Sequence, residues 1–305
     1  MPESVTVLMP FKNVEPYLAE SVRSVVAQTY PHWQLILVDD GSTDNGYQLA
    51  QTFTQYPRIS LIRNEHNLGI AASCNKAMEY ATGEYIARCD ADDIAHPERL
   101  ARQVAFLQEH PNIGLVGSFF TQFTEGWESL VRRQVSPAEV AVDFLFHLAV
   151  VNSTMMARRD ILPQPLYEET AGFEDYDLFV SLLGSIAMAN IPQSLMHVRK
   201  NPTSFSQTLP QGQANRNSLA SKAKLLRRLG LEPGLEDISM HDRMCHWYHR
   251  YRLETNLQDL LGEAPRQHEL EPWFARIIAA NQQSRLLEHT ILAHKLEETL
   301  AWFPE

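Results

Sequence analysis

Asp90-Ala91-Asp92-Asp93 puts three carboxylates into four positions directly after the apolar run Tyr85–Arg88. At that density the charges repel one another unless water or a cation screens them. Hard divalent cations such as Mg2+ and Mn2+ take oxygen ligands of this kind, and usually share a few carboxylates with substrate phosphates. The plainer alternative is an acidic loop ahead of a helix, with Asp93 near the helix N-terminus. A calcium loop of the helix–loop–helix type does not fit, because its further acidic positions and distal glutamate are missing.

A second pair, Asp39-Asp40, closes the run Gln34–Val38 and leads into Gly41-Ser42-Thr43-Asp44. Ser42 or Asp44 as a helix cap, with a turn around it, accounts for part of this pattern. It leaves unexplained why two carboxylates end an apolar strand, where they can accept bonds from ribose hydroxyls or a nucleobase N–H. The third cluster is Gly172-Phe173-Glu174-Asp175-Tyr176-Asp177-Leu178. Acidic residues at a helix start answer the helix dipole. The functional alternative is a general base that takes the proton of an attacking hydroxyl.

The elements that must position these clusters can be read from the apolar pattern. Runs of β type occur at Val5–Met9, Gln34–Val38, Ile59–Ile62, Tyr85–Arg88 and Ile113–Val116. Helix-length segments lie between them, at Glu15–Gln28, Asp44–Gln55, Ile70–Ala81 and Pro97–Glu109, with Pro97 expected at the first helical position. That alternation predicts βαβ units and a mainly parallel sheet flanked by helices. Ligands of such sheets collect at the carboxyl ends of the strands, where the first two acidic clusters fall. From Thr121 to Asn201 the pattern is less regular and reads as an α+β half. Residues 202–213 read as a linker. Helices are then expected at Leu219–Leu229, His241–Leu261, Pro272–Ala280 and Ser284–Trp302.

The 305 residues are 44% hydrophobic, enough for a full core. A formal net charge of −11 argues against nucleic-acid binding, which needs a basic surface; the acidic excess lies in the first 210 residues. Three scattered cysteines exclude a disulfide framework and suit a reducing compartment. The chain opens almost directly on Val5–Met9, without a basic and then apolar leader, and no stretch approaches the ~18 apolar residues of a membrane span. A cytoplasmic protein is expected, with peripheral membrane contact left open.

Together, VTVLMPFKN (5–13), Asp39-Asp40-Gly41-Ser42-Thr43-Asp44, Asn67-Leu68-Gly69, TGEYIARCDADD (82–93) with HPERL (96–100), and Gly172 to Leu178 resemble the inverting family-2 glycosyltransferases of the GT-A fold. The resemblance covers about residues 4–206. It implies a catalytic domain over 1–206, with a nucleotide-binding half to about 117 and an acceptor half over 118–206, followed by a helical C-terminal region over 207–305. It also implies a nucleotide-sugar donor, with a UDP-sugar expected, a glycan or lipid-linked acceptor, and Mn2+ or Mg2+. Nucleotide contacts then fall to Pro10, Phe11, Asn13, Asp39, Asp40, Asn67, Asp90 and Ala91. Asp92 and Asp90 hold the metal, Asp175 is the base, Glu174 shapes the site and Asp177 caps its helix.

Two departures from the family pattern stand out. Cys74 replaces an arginine, with Arg63 and Lys76 as candidate substitutes. Asn201 stands where a histidine closes the family's catalytic half, while Arg199 and Lys200 remain as candidate diphosphate contacts. A nucleotidyltransferase is the rival enzyme, but Pro10-Phe11-Lys12-Asn13 lacks the glycines of a triphosphate loop. A silent nucleotide-sugar-binding scaffold is the non-enzymatic rival, and intact Asp90, Asp92 and Asp175 argue against it.

Weaker signals lie elsewhere. His241, His246 and His249 surround Cys245, but no second cysteine completes a zinc set, so helix packing is the expectation. The aromatic and cationic run 246–252 could touch a membrane surface or a glycan, and self-association through the C-terminal helices is a further option. Asn152-Ser153-Thr154 fits a glycosylation sequon that has no use without secretion.

Overall fold

A computed structural model describes residues 3–168, 173–201, 211–253 and 264–305, apart from the side chains of 211–216 and 249–253. Gly172, the His249 side chain, residues 202–210 of the expected linker and residues 254–261 of the expected helix His241–Leu261 lie outside what is described. From Gln211 onward the chain is already helical, so the expected linker ends earlier than its polar composition implied.

Strands β1 (Val5–Phe11), β2 (Trp33–Asp39), β3 (Ile59–Arg63) and β4 (Tyr85–Arg88) form a parallel array in the order β3-β2-β1-β4. β1 and β4 are buried throughout and β2 almost so, which is why they read as unbroken apolar runs. Val5 pairs with Trp33 and Phe11 with Asp39, so both acidic clusters emerge at one end of the sheet. Gly83 lets the chain pass tightly against β1, since a Cβ there would lie 2.5 Å from the Thr6 nitrogen.

Beyond β4 the sheet becomes mixed. β8 (Met156–Arg158) runs antiparallel between β4 and the long β6 (Ile113–Thr124), which pairs in parallel with β9 (Ala187–Arg199). β7 (Trp127–Val131) folds back on the outer half of β6, and the two-residue β5 (Ile94–Ala95) pairs with β9 at His197 and Met196. That last pairing brings the loop carrying Asp92 and Asp93 against residues 199–201.

Alternation along the strands sorts the core into two layers. Val5, Val7, Met9 and Phe11 pack against α1 (Glu15–Val26), α2 (Gly46–Phe53) and α4 (Arg99–Glu109). Leu8, Ile36 and Val38 face α3 (Ile70–Glu79), α5 (Pro137–Asp143) and α6 (Glu174–Leu182). Pro97 stands before α4 rather than in its first turn. The Gln28 side chain takes over at that end, accepting from Leu100 N (2.9 Å) and donating to the His96 carbonyl (2.8 Å).

The C-terminal region contributes α7 (Gln211–Arg228), α8 (Leu235–Leu253), α9 (Gln267–Ser284) and α10 (His289–Leu300). Leu225, Leu229, Tyr248, Trp273 and Leu292 belong to the same buried cluster as Leu8 and Ile36. These helices are thus an outer layer of one core. Buried Lys295 on α10 also pairs with Asp143 on α5 at 3.1 Å. Among the described residues, no helix is long and apolar enough to cross a membrane.

Candidate active site

Pro10 and Phe11 are the last residues of β1, not the loop expected, and Phe11 packs into the core. Its carbonyl accepts from Asp40 N at 2.8 Å. Asn13 follows in a left-handed conformation (φ 53°). Its side-chain oxygen accepts from Thr43 N at 2.8 Å, and its N–H donates to Ser42 Oγ at 3.1 Å. Neither Ser42 nor Asp44 caps α2, whose N-cap is Asn45 without a side-chain bond. Asp44 instead accepts from Glu15 N (2.9 Å) and Gly46 N (3.0 Å), tying the turn to the start of α1.

Asp39 is fully buried. One oxygen accepts from Ser42 N at 3.0 Å and the other lies 3.0 Å from Arg63 Nε, a charge pairing without an aligned hydrogen bond. Asp40 collects more donors. It accepts from Asn64 Nδ2 (2.9 Å), Leu68 N (2.8 Å) and Gly69 N (2.9 Å). Asn67, with its amide oxygen toward Lys12, adds a fourth at 2.7 Å. Gly69 supplies its N–H from φ +92°, a region that disfavours side-chain-bearing residues. Asp40 therefore fixes residues 64–69 at the mouth of the first acidic site.

At the end of β4, Asp90 keeps a side chain 36% exposed, with Oδ1 only 2.6 Å from Nη2 of the buried Arg88. Ala91 is buried. Asp92 Oδ2 accepts from Asn201 Nδ2 at 3.3 Å. Loss of hydration, and then the Asp90 charge, push the Asp92 carboxyl above its ordinary range. Asp93 heads no helix. It is buried, accepts from Arg199 N at 2.9 Å and holds the end of β9 against this loop.

The Arg199 guanidinium is committed to the scaffold. Nε donates to the Asp92 carbonyl (3.0 Å), Nη2 pairs with Glu20 (2.6 Å), and the group stacks between the rings of Tyr17 and Phe123. Lys200 lies over the exposed ring of Trp127. Of the candidate substitutes for an arginine at 74, Arg63 stacks on Tyr47 and pairs with Asp39, and Lys76 bonds Asn64 Oδ1 at 2.9 Å.

The third cluster opens α6 behind Phe173, which is held at φ 65° and is partly exposed. For a bulky aromatic that conformation is strained, and it sits next to the Glu174–Asp175 pair. Burial, then the neighbouring Asp175, push Glu174 up to about 7. Asp175 keeps partial solvent access, yet loss of hydration followed by the Asp90 charge raises it to about 6 against the hydrogen bond from Tyr176 N. Asp177 does not cap the helix; Lys224 of α7 donates to it at 2.7 Å.

The buried Cys74 thiol of α3 is pushed up to about 12 by burial, with the charges of Arg88, Glu174, Asp90 and Asp40 acting on it. One carboxylate of each acidic cluster therefore lies within electrostatic reach of α3. Asp90 and Asp92 carry carboxylate oxygens of the kind a divalent cation takes: Arg88 engages one oxygen of Asp90, and Asp92 accepts from the neutral Asn201 amide. Among the described residues no three His, Cys, Asp or Glu groups could hold a metal by themselves. A cation here would complete its shell with ligand oxygens, as such ions do with phosphates.

Arg88, Asn64 and Lys224 had no role in the sequence reading. The signal for Arg88 was available, because a charged residue ending a wholly apolar central strand must be paired. The expected helix packing around Cys245 holds for what is described. His241 is buried against Trp273 with its ring pushed down to about 3 by burial, and Cys245 donates to the Leu145 carbonyl. The sequon Asn152 is buried and bonded to the Tyr167 hydroxyl.

Comparison with known proteins identifies the family and the fold. Residues 6–164, just over half the chain, match the glycosyl transferase family 2. The putative glycosyltransferase EpsE of Bacillus subtilis (strain 168) is 34% identical over 207 residues, 66% of this chain and 74% of that protein. The UDP-Glc:alpha-D-GlcNAc-diphosphoundecaprenol beta-1,3-glucosyltransferase WfgD of Escherichia coli is 30% identical over 179 residues, 59% of this chain and 69% of its own. Among solved structures, S. aureus TarS 1–349 in complex with UDP-GlcNAc matches with a TM-score of 0.65 at 17% identity, over 98% of this chain and 90% of that one. At that identity the likeness shows the fold alone. The chain belongs to the family-2 glycosyltransferases and is a glycosyltransferase of the GT-A fold.

Proposed function

We propose that this enzyme moves a sugar, with inversion, from a UDP-sugar to a hydroxyl of a glycan or lipid-linked acceptor in cell-surface polysaccharide or glycolipid synthesis. The observation that supports the reading is that the charge of Asp90 acts on Asp175, and that Asp40, Asp90 and Glu174 all act on the buried Cys74. In this reading the nucleotide loop, the diphosphate end and the candidate base Asp175 border one space. The donor and acceptor classes are taken from TarS, solved in complex with UDP-GlcNAc, and from the glucosyltransferase WfgD, which acts on a diphosphoundecaprenol-linked sugar. A cytoplasmic site, peripheral to the membrane for a lipid-linked acceptor, goes with that choice.

In this mechanism the loop fixed by Asp40 receives the nucleoside, with Asp39 buried behind it. Asp92 and Asp90 would hold Mn2+ or Mg2+, which would supply positive charge against the departing nucleoside diphosphate. Asp175 takes the proton from the acceptor hydroxyl as that oxygen attacks the anomeric carbon from the face opposite the leaving group. A carboxyl raised toward neutrality suits this task better than an ordinary aspartate, because its conjugate base is stronger. Glu174 shapes the pocket beside it.

A thermal-shift screen of nucleotide-sugars with and without Mn2+ tests the donor assignment. A ligand held at 100 times its Kd stabilises by about 2.7 kcal/mol. A UDP-sugar should raise the melting temperature only with the metal present. No shift from any nucleotide-sugar would overturn the reading.

A further inference from the structure

Arg88 is wholly buried at the end of β4, beside Leu8 of β1 in the sheet. A guanidinium keeps its charge in any such place and must be compensated there. Nη1 donates to the carbonyls of Leu8 (2.9 Å) and Cys89 (3.3 Å), and Nη2 to Asp90 Oδ1 (2.6 Å). Nε has no hydrogen-bond partner among the described residues.

The second buried arginine nearby provides the contrast. Arg99 bonds Gln103, Met196 Sδ and the carbonyls of Arg88 and Met155, knitting three parts of the scaffold with no carboxylate. Arg88 spends its shortest bond on an acidic residue whose side chain is still 36% exposed. The carbonyls of Leu8, within β1, and of Cys89, just past β4, set the plane of the guanidinium, and that plane sets the Asp90 carboxylate. One Asp90 oxygen is thereby tied from within the sheet, and the other is left for the open side.

We infer that Arg88 is a positioning residue of the donor site, fixing Asp90 from beneath so that its remaining oxygen meets the donor's diphosphate end; this rests on the donor-site reading above. Arg88 itself touches no donor.

Calorimetric titration of the full chain with UDP in the presence of Mn2+ tests the inference, using the parent, Arg88→Met, Arg88→Lys, Asp90→Asn and the two double variants. Loss of a residue that orients a ligating carboxylate typically weakens binding on the order of tenfold or more. Arg88→Met should do so. Arg88→Lys should also weaken UDP, because a point charge cannot hold two carbonyls and a carboxylate in one plane. In the Asp90→Asn background either change should cost under about twofold, since the two residues act as one unit.

A purely structural arginine would instead give losses that multiply with Asp90→Asn, and that outcome overturns the inference. Arg88 variants that bind UDP like the parent overturn it too. If Arg88→Met does not fold by circular dichroism, the Arg88→Lys arm of the cycle decides. A parent that binds neither UDP nor any nucleotide-sugar sinks the donor-site reading, and the inference with it.

Discussion

Lys224, on the first helix of the C-terminal region, donates to Asp177 at 2.7 Å, and Asp177 lies two residues past Asp175 in α6. The same ammonium pairs with Glu168 at 3.3 Å, on the chain that leads toward α6. The C-terminal layer therefore clamps the segment that presents the candidate base. Lys224→Met is expected to lower kcat several-fold while leaving UDP affinity in place. The pair is about a third exposed on the lysine side, so global stability should fall by no more than about 1 kcal/mol. Steady-state kinetics beside a thermal melt check this; an unchanged kcat would remove the clamp from the account.

The raised carboxyls of Glu174 and Asp175 give the reaction a pH signature. A base must be ionised to accept a proton, so transfer should rise with pH through a limb near 6, where burial and the Asp90 charge have moved Asp175. Asp175→Asn is expected to cut kcat by about 10²–10⁴-fold with donor binding retained. Stability runs the other way. The folded state holds these protons more tightly than the unfolded chain, so stability fully present below the ordinary glutamate value of 4.5 is lost as pH rises through about 7 for Glu174. Glu174→Gln should flatten the melting temperature across that window, and a profile as steep as the parent's would contradict the shift.

Asn201 gives Asp92 its one side-chain hydrogen-bond donor among the described residues, at 3.3 Å. Asp92→Ala is expected to abolish the Mn2+-dependent part of UDP binding. Asn201→His, which restores the residue type of the family pattern, should tighten Mn2+ by up to about tenfold, the scale on which groups beside a ligand act. Titration of Mn2+ followed by electron paramagnetic resonance separates the two variants. Unaltered Mn2+ affinity in Asp92→Ala would place the metal elsewhere.

How much of this was legible from the chain depended on whether burial was local or distant. β1, β2 and β4 are buried parallel strands, so their apolar runs announce them. β9 hides its length because Pro192 and Gln193 interrupt it where its pairing with β6 shifts register. β8 is three residues long and exists only because β4 and β6 flank it. The acidic clusters were visible as clusters, but their partners were not. Arg88 read as the end of a strand, and only the placement of β4 between β1 and β8 shows that it is enclosed. Helical periodicity indicated four C-terminal helices but not their starts: α7, α8 and α9 begin at Gln211, Leu235 and Gln267, ahead of the expected Leu219, His241 and Pro272, and α10 begins at His289 because Ser284 still belongs to α9. It also carried no sign that Leu225 and Tyr248 share a core with Leu8.

Asp40 allows a distinction that its sequence position alone does not. A carboxylate whose task is only to meet a nucleotide should keep acceptor capacity free. Here both oxygens are engaged by Asn64, Leu68, Gly69 and Asn67, and the residue is 5% exposed. Asp40→Asn turns one acceptor into a donor facing donors. Leaving such buried groups unpaired costs about 1–3 kcal/mol, and the loop over 64–69 should loosen with it. The expected result is a joint loss: the melting temperature falls by several degrees, and UDP affinity weakens by more than tenfold, roughly the factor that 1.4 kcal/mol represents. A variant that loses UDP binding at the parent's melting temperature would instead make Asp40 a direct nucleotide contact with no supporting role, because the fold would then be indifferent to the donors it gathers.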